Sequence, residues 1–156
     1  MKLNEELGLT RGITDLAHEA VLNVYLTSSQ IKKRVDEFFK DYGLTDVQFN
    51  LMMLVKYQSG AAEGLAQVAL SRMMLVNRAN ITSLVDRMEK ARLVKRTPDP
   101  DDRRYHIVRL TAHGRKKLDG VQDAYYEMIH EVMDVLKDSE LRSIIKRMEK
   151  LRDNIG

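Results

Sequence analysis

Apolar residues recur at intervals of three and four over residues 13–42, with no proline among them. This spacing predicts one helix of about 30 residues, which would be about 45 Å long. A domain of this size cannot cover such a helix along its whole length. The simplest interpretation is that a partner chain covers the rest of its apolar face. Gly43 follows at the place where a left-handed residue commonly ends a helix.

Two shorter helices are predicted next. Thr45 and Gln48 have the spacing of a capping box, in which each side chain satisfies a backbone N–H of the other residue. This second helix would run to about residue 57, and a loop of small residues would follow it. A third helix is expected over residues 65–73. Its inward positions would be Leu65, Val68, Ala69 and Met73.

A fourth helix is predicted from Arg78 to about Ala91, with Asn77 in the position of its N-cap. Its buried stripe would be Ile81, Leu84, Val85 and Met88. Small polar and basic residues on the opposite face, near the N-terminus, suit docking in the major groove of DNA. The candidate DNA-binding residues of this helix are Asn77, Arg78, Asn80, Thr82, Ser83 and Arg87. Arg suits guanine and Asn suits adenine, although any one of these side chains could instead contact phosphate or solvent.

One β-hairpin is predicted after this helix. Residues 94–97 and 106–110 contain the Val, Ile and Leu residues that favour strands. The link between them holds both prolines of the chain, Pro98 and Pro100, together with several aspartates, which is typical turn chemistry. A basic hairpin directly after a helix-turn-helix pattern is typical of the wing of a winged helix, a DNA-binding device.

Two further helices are predicted at the C-terminal end. Thr111 would cap the first, and Asp138 or Ser139 would open the second. Apolar residues in both alternate by three and four, which is a narrow heptad seam typical of helices that pack against partner helices.

Together these patterns predict a mainly α fold with a small β-hairpin wing. We expect residues 1–42 and 112–156 to form a helical dimerisation region. Residues 43–111 would form a winged helix-turn-helix DNA-binding lobe between them.

Charge is unevenly distributed along the chain. Residues 64–118 hold 13 Lys and Arg against 5 Asp and Glu, whereas the remaining residues hold 13 against 18. Because the basic excess coincides with the helix-turn-helix pattern, we interpret it as a surface for a polyanion. The candidate phosphate contacts, which position a protein on DNA without reading its sequence, are Arg72, Lys90, Arg96 and Arg109.

Composition argues against several classes of protein. The chain has no cysteine, so it has no disulfide and no thiolate nucleophile. Its four histidines lack metal-ligand spacing, and we expect neither a metal nor a cofactor. No paired carboxylates or Gly-rich phosphate loop indicate an enzyme. No apolar run could span a bilayer and the N-terminus has no signal-peptide pattern, which indicates a cytoplasmic protein without a membrane partner.

Three blocks of the chain resemble the MarR family, the multiple-antibiotic-resistance type of winged-helix transcriptional regulator. They are GLTDVQFNLMMLV, LSRMMLVNRANITSLVDRMEKARLVKR and DDRRYHIVRLTAHG. The most specific feature is the helix-turn-helix pattern followed by Asp-Arg-Arg, a short apolar strand and Leu-Thr-x-x-Gly. The family usually has glycine at the position of Arg92, and a residue with a Cβ at a left-handed helix end costs about 1 kcal/mol. Arg92 could add a phosphate contact instead.

The resemblance implies a homodimer that binds pseudo-palindromic double-stranded DNA. It makes the helix from Arg78 the recognition helix and places Asp102 and Arg104 at the wing tip, where the Asp orients the Arg into the minor groove. A guanidinium suits that place because narrow minor grooves concentrate negative potential. Arg103 could instead be the inserted residue.

The resemblance also implies a repressor that a small aromatic or anionic effector releases from DNA. The effector would bind between the dimerisation helices and the DNA-binding lobe. The candidate pocket residues, each of which could instead be core, are Tyr25, Tyr42, Phe49 and Met52. The competing interpretation is a dimeric interaction module, or a nonspecific DNA-binding protein without operator specificity.

Overall fold

The computed structural model describes residues 3–60, 63–74, 78–99 and 105–156. Within these ranges the chain is mainly helical and carries one small antiparallel sheet. The helices are α1 (Leu3–Glu6), α2 (Leu16–Asp41), α3 (Asp46–Gln58), α4 (Gln67–Met73), α5 (Arg78–Lys90), α6 (Ala112–Met133) and α7 (Asp138–Ile155). The strands are β1 (Leu65–Ala66), β2 (Val94–Pro98) and β3 (His106–Leu110). The predicted fold class, a mainly α chain with a winged helix-turn-helix, is confirmed.

The long first helix was predicted three residues too early. Helix α2 begins at Leu16 because Asp15, in an extended conformation, accepts a hydrogen bond from the His18 backbone N–H at 2.6 Å. It ends where predicted: Gly43 has a φ of 60°, and the Leu44 N–H donates to the Phe39 carbonyl at 3.0 Å. This is the left-handed helix ending that favours glycine.

Helix α3 begins with the predicted capping box. The Thr45 hydroxyl accepts from the Gln48 N–H at 3.3 Å, and the Gln48 side chain accepts from the Thr45 N–H at 3.0 Å. The reciprocal bonds satisfy two backbone donors that the first helical turn leaves without partners. They fix where α3 starts.

The prediction that residues 65–73 form one helix is wrong. Leu65 and Ala66 form strand β1, which pairs antiparallel with β3 through Leu65–Val108 and Ala66–Ile107, and α4 begins only at Gln67. The sheet therefore has three strands in the order β1-β3-β2, rather than the two of a hairpin. Pairing with β3, which lies some forty residues later in the chain, overrides the local helical pattern.

Glycine makes this pairing possible. A Cβ on Gly64 would lie 2.6 Å from the Ile107 side chain and 2.8 Å from the Val108 carbonyl oxygen. Only a residue without a Cβ lets the backbone approach β3 this closely. The shift of the helix start also changes its buried side: Leu70 is fully buried, whereas Met73, predicted to face inward, is exposed at the end of the helix.

Residues 1–118 and 119–156 form two compact units, with the division inside α6. In the first unit the core joins α3, α4, α5, the sheet and the C-terminal end of α2. Its most deeply buried side chains are Phe39, Phe49, Leu51, Met52, Leu70, Ile81, Val85, Met88, Val94, Val108 and Leu118.

The second unit contains most of α6 and all of α7. On α6, Val121 and Met128 are buried, whereas Val135 lies beyond the helix and is exposed. Helix α7 begins at Asp138, as predicted, where the Glu140 carboxylate accepts from the Lys137 N–H at 2.9 Å. None of its side chains is buried.

Candidate nucleic-acid interface

Helix α5 divides into a buried stripe and a polar face, as the sequence predicted. Ile81, Leu84, Val85 and Met88 are at most 5% exposed, and they anchor the helix on the core of the lobe. On the other side Asn80, Ser83 and Arg87 are exposed, and Thr82 is half-buried. Asn77 and the side chain of Arg78 lie outside the described residues. The exposed face therefore offers an amide, a hydroxyl and a guanidinium to solvent from one helix.

Thr82 is held by a neighbouring helix. Gln67, at the first turn of α4, donates from its side-chain amide to the Thr82 hydroxyl oxygen at 2.6 Å. The bond occupies a lone pair of the hydroxyl. Sequence reasoning missed Gln67 because it placed the start of α4 two residues too early.

Arg96 on β2 bonds to two carboxylates of α5. The Glu89 carboxylate accepts from both the Arg96 backbone N–H, at 2.7 Å, and the Arg96 Nε, at 2.8 Å. The Arg96 Nη2 also contacts Glu89 at 2.7 Å and donates to Asp86. We call Asp86, Glu89 and Arg96 the helix–wing cluster. The hydrogen bond with Glu89 raises the pKa of the Arg96 guanidinium above its ordinary value, so the guanidinium stays charged.

The helix–wing cluster bears on a predicted phosphate contact. The Arg96 guanidinium already has two acidic partners, so a phosphate would have to share it; the contact stays a prediction. The sequence does carry a signal for the cluster. Two acids three residues apart lie beside the buried stripe of an amphipathic helix, and an Arg follows in the next strand.

The wing is a regular antiparallel pair. Strands β2 and β3 run in register from Val94–Leu110 to Pro98–His106, and the Asp99 N–H donates to the Tyr105 carbonyl at 3.0 Å. This confirms the predicted hairpin. The wing-tip residues Asp102, Arg103 and Arg104 lie outside the described residues, and their roles remain predictions.

The other candidate phosphate contacts lie on three different elements, α4, α5 and β3. Arg72 and Lys90 are exposed, at the last turns of α4 and α5. Arg109 is half-buried on β3, where its Nε donates to the Thr97 hydroxyl at 3.3 Å.

The Leu-Thr-x-x-Gly motif joins the start of α6 to the exit of α5. The Thr111 hydroxyl caps α6 by accepting from the Gly114 N–H at 2.9 Å, and it donates to the Arg92 carbonyl at 2.5 Å. The Thr111 N–H donates to the Leu93 carbonyl at 3.1 Å. A Cβ on Gly114 would lie 1.9 Å from that same Leu93 oxygen. The motif therefore connects the end of β3 to the exit of α5.

The four candidate pocket residues occupy different environments. Phe49 and Met52 are fully buried, and the Phe49 ring packs on Phe39 at a centroid distance of 4.8 Å. Tyr42 is half-buried against Phe38, whereas Tyr25 is exposed. A ligand could reach Phe49 and Met52 only if the core opened. A pocket at these residues stays a prediction.

An open cleft of about 470 Å³ lies instead between α3 and the end of α4. Sequence reasoning did not predict it, since a cleft between two helices depends on how they pack. It is lined by Val47, Asn50, Met53, Leu54, Tyr57, Gln58, Met73 and Met74.

Metal-binding clusters and membrane-spanning helices are both absent from the described part of the chain. No group of three or more His, Asp or Glu residues is arranged there to hold a metal ion. No helix within those residues is both long enough and apolar enough to cross a membrane.

Comparison with known proteins agrees with this geometry. The MarR family model matches residues 42–104, which carry the helix-turn-helix and the wing. PecS of Dickeya dadantii, an HTH-type transcriptional regulator, is 25% identical over 123 residues, covering 77% of this chain and 74% of PecS. Over residues 42–104 the chain matches the MarR family.

Solved structures show the same MarR-family fold over nearly the whole chain. AbsC of Streptomyces coelicolor, a MarR-family transcriptional regulator, superposes with a TM-score of 0.82 at 20% identity, covering 94% of this chain and 98% of AbsC. A mutant of E. coli MarR complexed with operator DNA superposes with a TM-score of 0.77 at 20% identity, covering 88% of this chain and 99% of MarR. MarR-family relatives are transcriptional regulators, and this winged helix is the fold on which they are built.

Proposed function

We propose that this chain is a homodimeric, sequence-specific DNA-binding transcriptional regulator, and that it is a repressor released by a small-molecule ligand. The observation that carries the proposal is the polar face of α5. Asn80, Ser83 and Arg87 are exposed there on a helix whose apolar stripe is fully anchored. A helix held in this way can present its polar side chains to base edges without rearrangement of the lobe.

The proposed division of labour follows the chemistry of each group. Residues 43–111 form the DNA-binding lobe, in which Asn77, Arg78, Asn80, Thr82, Ser83 and Arg87 face the major groove. Asp102 orients Arg104, or Arg103, in the minor groove, where a narrow groove attracts a guanidinium. Arg72, Lys90 and Arg109 contact phosphates and position the lobe without reading sequence.

The dimer and the ligand complete the proposal. Residues 1–42 and 112–156 form the dimerisation region, so that two recognition helices lie about one DNA turn apart, roughly 34–36 Å. The small aromatic or anionic ligand is supported by the resemblance to the family, and it would bind beside Tyr25 and Tyr42. E. coli MarR has been solved with operator DNA, which supports DNA as the partner here.

The test is selection from random duplex DNA by the full-length protein, followed by titration of the enriched sequence against salt. We expect a palindrome with half-sites one turn apart. Asn80→Ala should weaken binding to this operator about 5- to 150-fold for each half-site while leaving scrambled DNA unaffected, because a base contact carries specificity. Lys90→Ala should weaken binding to both DNAs and reduce the magnitude of the log–log salt slope by about two, because each of the two subunits then neutralises one phosphate fewer.

One outcome would reject sequence-specific regulation, namely selection that enriches no motif while binding follows salt alone. That result would favour the interaction module or nonspecific DNA-binding protein. If Asn80→Ala instead weakens binding to operator and to scrambled DNA by the same factor, as is expected of Lys90→Ala, Asn80 is not a base contact. Lys150→Ala, on α7, is the matched control for removal of a positive charge outside the lobe.

A further inference from the structure

The helix–wing cluster connects the two elements that would enter different grooves of DNA. Glu89 and Asp86 belong to α5, and Arg96 belongs to β2, the strand that leads to the wing tip. Glu89 binds both the main chain and the side chain of Arg96. Because one bond holds the backbone, the contact fixes the position of the strand itself as well as that of a mobile side chain.

The cluster differs from an ordinary exposed ion pair in its surroundings. The Arg96 side chain is 24% exposed and the Glu89 side chain 31% exposed, and they share several charge-assisted hydrogen bonds. Such multiply bonded Arg–carboxylate contacts are geometrically specific. Flexible surface pairs, by contrast, commonly contribute little.

Arg96 also lies where the buried part of β2 ends. Val94, two residues before it, is buried in the core, whereas Thr97 is half-buried and Pro98 is exposed. The outer part of the described β2 therefore has no buried apolar side chain to anchor it on the lobe. Its position relative to α5 depends on the bonds at Arg96 and on pairing with β3.

We propose that the helix–wing cluster is a strut that sets the position of the wing against the recognition helix, so that both engage DNA as one unit. Glu89 and Arg96 are positioning residues in this arrangement. The inference rests on the proposed function, since it concerns how the DNA-binding lobe meets its operator. It assigns a role to Glu89 and Asp86, acidic residues that would otherwise only repel phosphates.

A direct phosphate contact by Arg96 makes the opposite prediction for Glu89. Glu89→Ala removes a negative charge and releases the Arg96 guanidinium from one of its two acidic partners. If Arg96 only bound phosphate, this change would strengthen DNA binding and leave the contribution of the wing intact. If the cluster is a strut, Glu89→Ala uncouples the wing from α5, and the contribution of the wing falls.

The experiment is a double-mutant cycle on the selected operator at one salt concentration, in the full-length protein. The contribution of the wing is the factor by which Arg104→Ala weakens binding. In the native background we expect about 5- to 150-fold for each half-site. In the Glu89→Ala background we expect the same change to cost less than about threefold. Glu127→Ala, on α6, removes a glutamate outside the lobe and should leave the native factor unchanged. The proposal is overturned if Arg104→Ala weakens binding in the Glu89→Ala background by the same factor as in the native background.

A second measurement needs no DNA. In the free protein, the Arg96 amide proton should exchange with solvent at least about tenfold faster in Glu89→Ala than in the native chain, because its acceptor is gone. The amides of Val85 and Met88, in the buried stripe of α5, should keep their native rates, which shows that the lobe is folded. The proposal is overturned if the Arg96 amide exchanges at the same rate in Glu89→Ala as in the native chain. If the Arg96 rate rises but no operator can be selected, the proposed function fails rather than the contact.

Discussion

At the scale of single residues, Arg92 adopts a backbone conformation that its side chain disfavours. Its φ is 57°, in the left-handed region where a Cβ costs about 1 kcal/mol. The position is fixed from both sides: the Arg92 N–H donates to the Glu89 carbonyl at 2.9 Å, and the Arg92 carbonyl accepts from the Thr111 hydroxyl. The conformation is therefore set by the exit of α5, and we expect a glycine at this position to keep it.

Replacing Arg92 by glycine should stabilise the protein. We expect Arg92→Gly to raise the free energy of unfolding by about 0.5 kcal/mol, since relief of the Cβ clash exceeds the greater entropy of glycine in the unfolded chain. Urea denaturation measures it. Arg92→Ala, which keeps the Cβ, is the control and should gain nothing. A less stable Arg92→Gly protein would show that the arginine side chain contributes more than the strained backbone costs.

This residue also shows what sequence reasoning can supply. The departure from the glycine usual in the family identified Arg92, and the structure bears out the left-handed conformation. By contrast, nothing local to Gly64 indicated that β3 passes within van der Waals distance of it. A glycine needed for a close approach between distant segments looks the same in sequence as any loop glycine.

At the scale of elements, helix α6 contains two glycines in contrasting environments. A Cβ on Gly114 would lie 1.9 Å from the Leu93 carbonyl oxygen, a backbone atom that cannot rotate away. A Cβ on Gly120, in the same helix, would meet nothing within 4 Å. One glycine is required by the contact between α6 and the chain entering β2, and the other is not.

These two glycines give a matched pair of variants. Gly114→Ala should lower the free energy of unfolding by more than about 2 kcal/mol, because the junction must move to remove the overlap. Gly120→Ala should raise it by up to about 1 kcal/mol, since alanine is the better helix former. Thermal unfolding followed by circular dichroism measures both. Equal stabilities for the two variants would mean that α6 shifts freely against Leu93.

Elements with local signals were predicted well, and elements defined by distant contacts were not. The capping box of α3, the glycine end of α2 and the start of α7 depend on neighbours within five residues, and all three agree with the structure. Strand β1 is two residues long and exists only through pairing with β3, so periodicity could not find it. The partners of Arg96 were missed for the same reason, because they lie on a different element.

At the scale of the whole molecule, several apolar residues of α7 are exposed among the described residues of the chain. Ile145 is 57% exposed and Leu151 50% exposed, yet they recur at helical spacing with Leu141 and Met148. The first half of α2 is similar, with Leu16 and Tyr25 more than two-thirds exposed. Stripes of this kind are expected to be covered by another helix.

We expect the native chain to sediment as a dimer of about 36 kDa, twice its 18.0 kDa mass. Ile145→Glu combined with Leu151→Glu should shift the protein towards the monomer, because charges placed in an apolar helix interface lose solvation without gaining partners. Analytical ultracentrifugation at micromolar concentration measures both. Lys146→Glu, on the polar side of α7, should remain dimeric. A native chain that sediments as a monomer would contradict the proposed dimer.

The position of Glu89 has a further consequence for the edge of the sheet. Among the described residues β2 pairs with β3 alone, so its outer side is an open edge to which another extended chain could add. The outward N–H of Arg96 is taken by the Glu89 carboxylate, and Pro98, the next residue on that side, has no N–H to offer. The described edge of the wing is thus a poor template for strand addition, which is the kind of protection against aggregation that exposed sheet edges need.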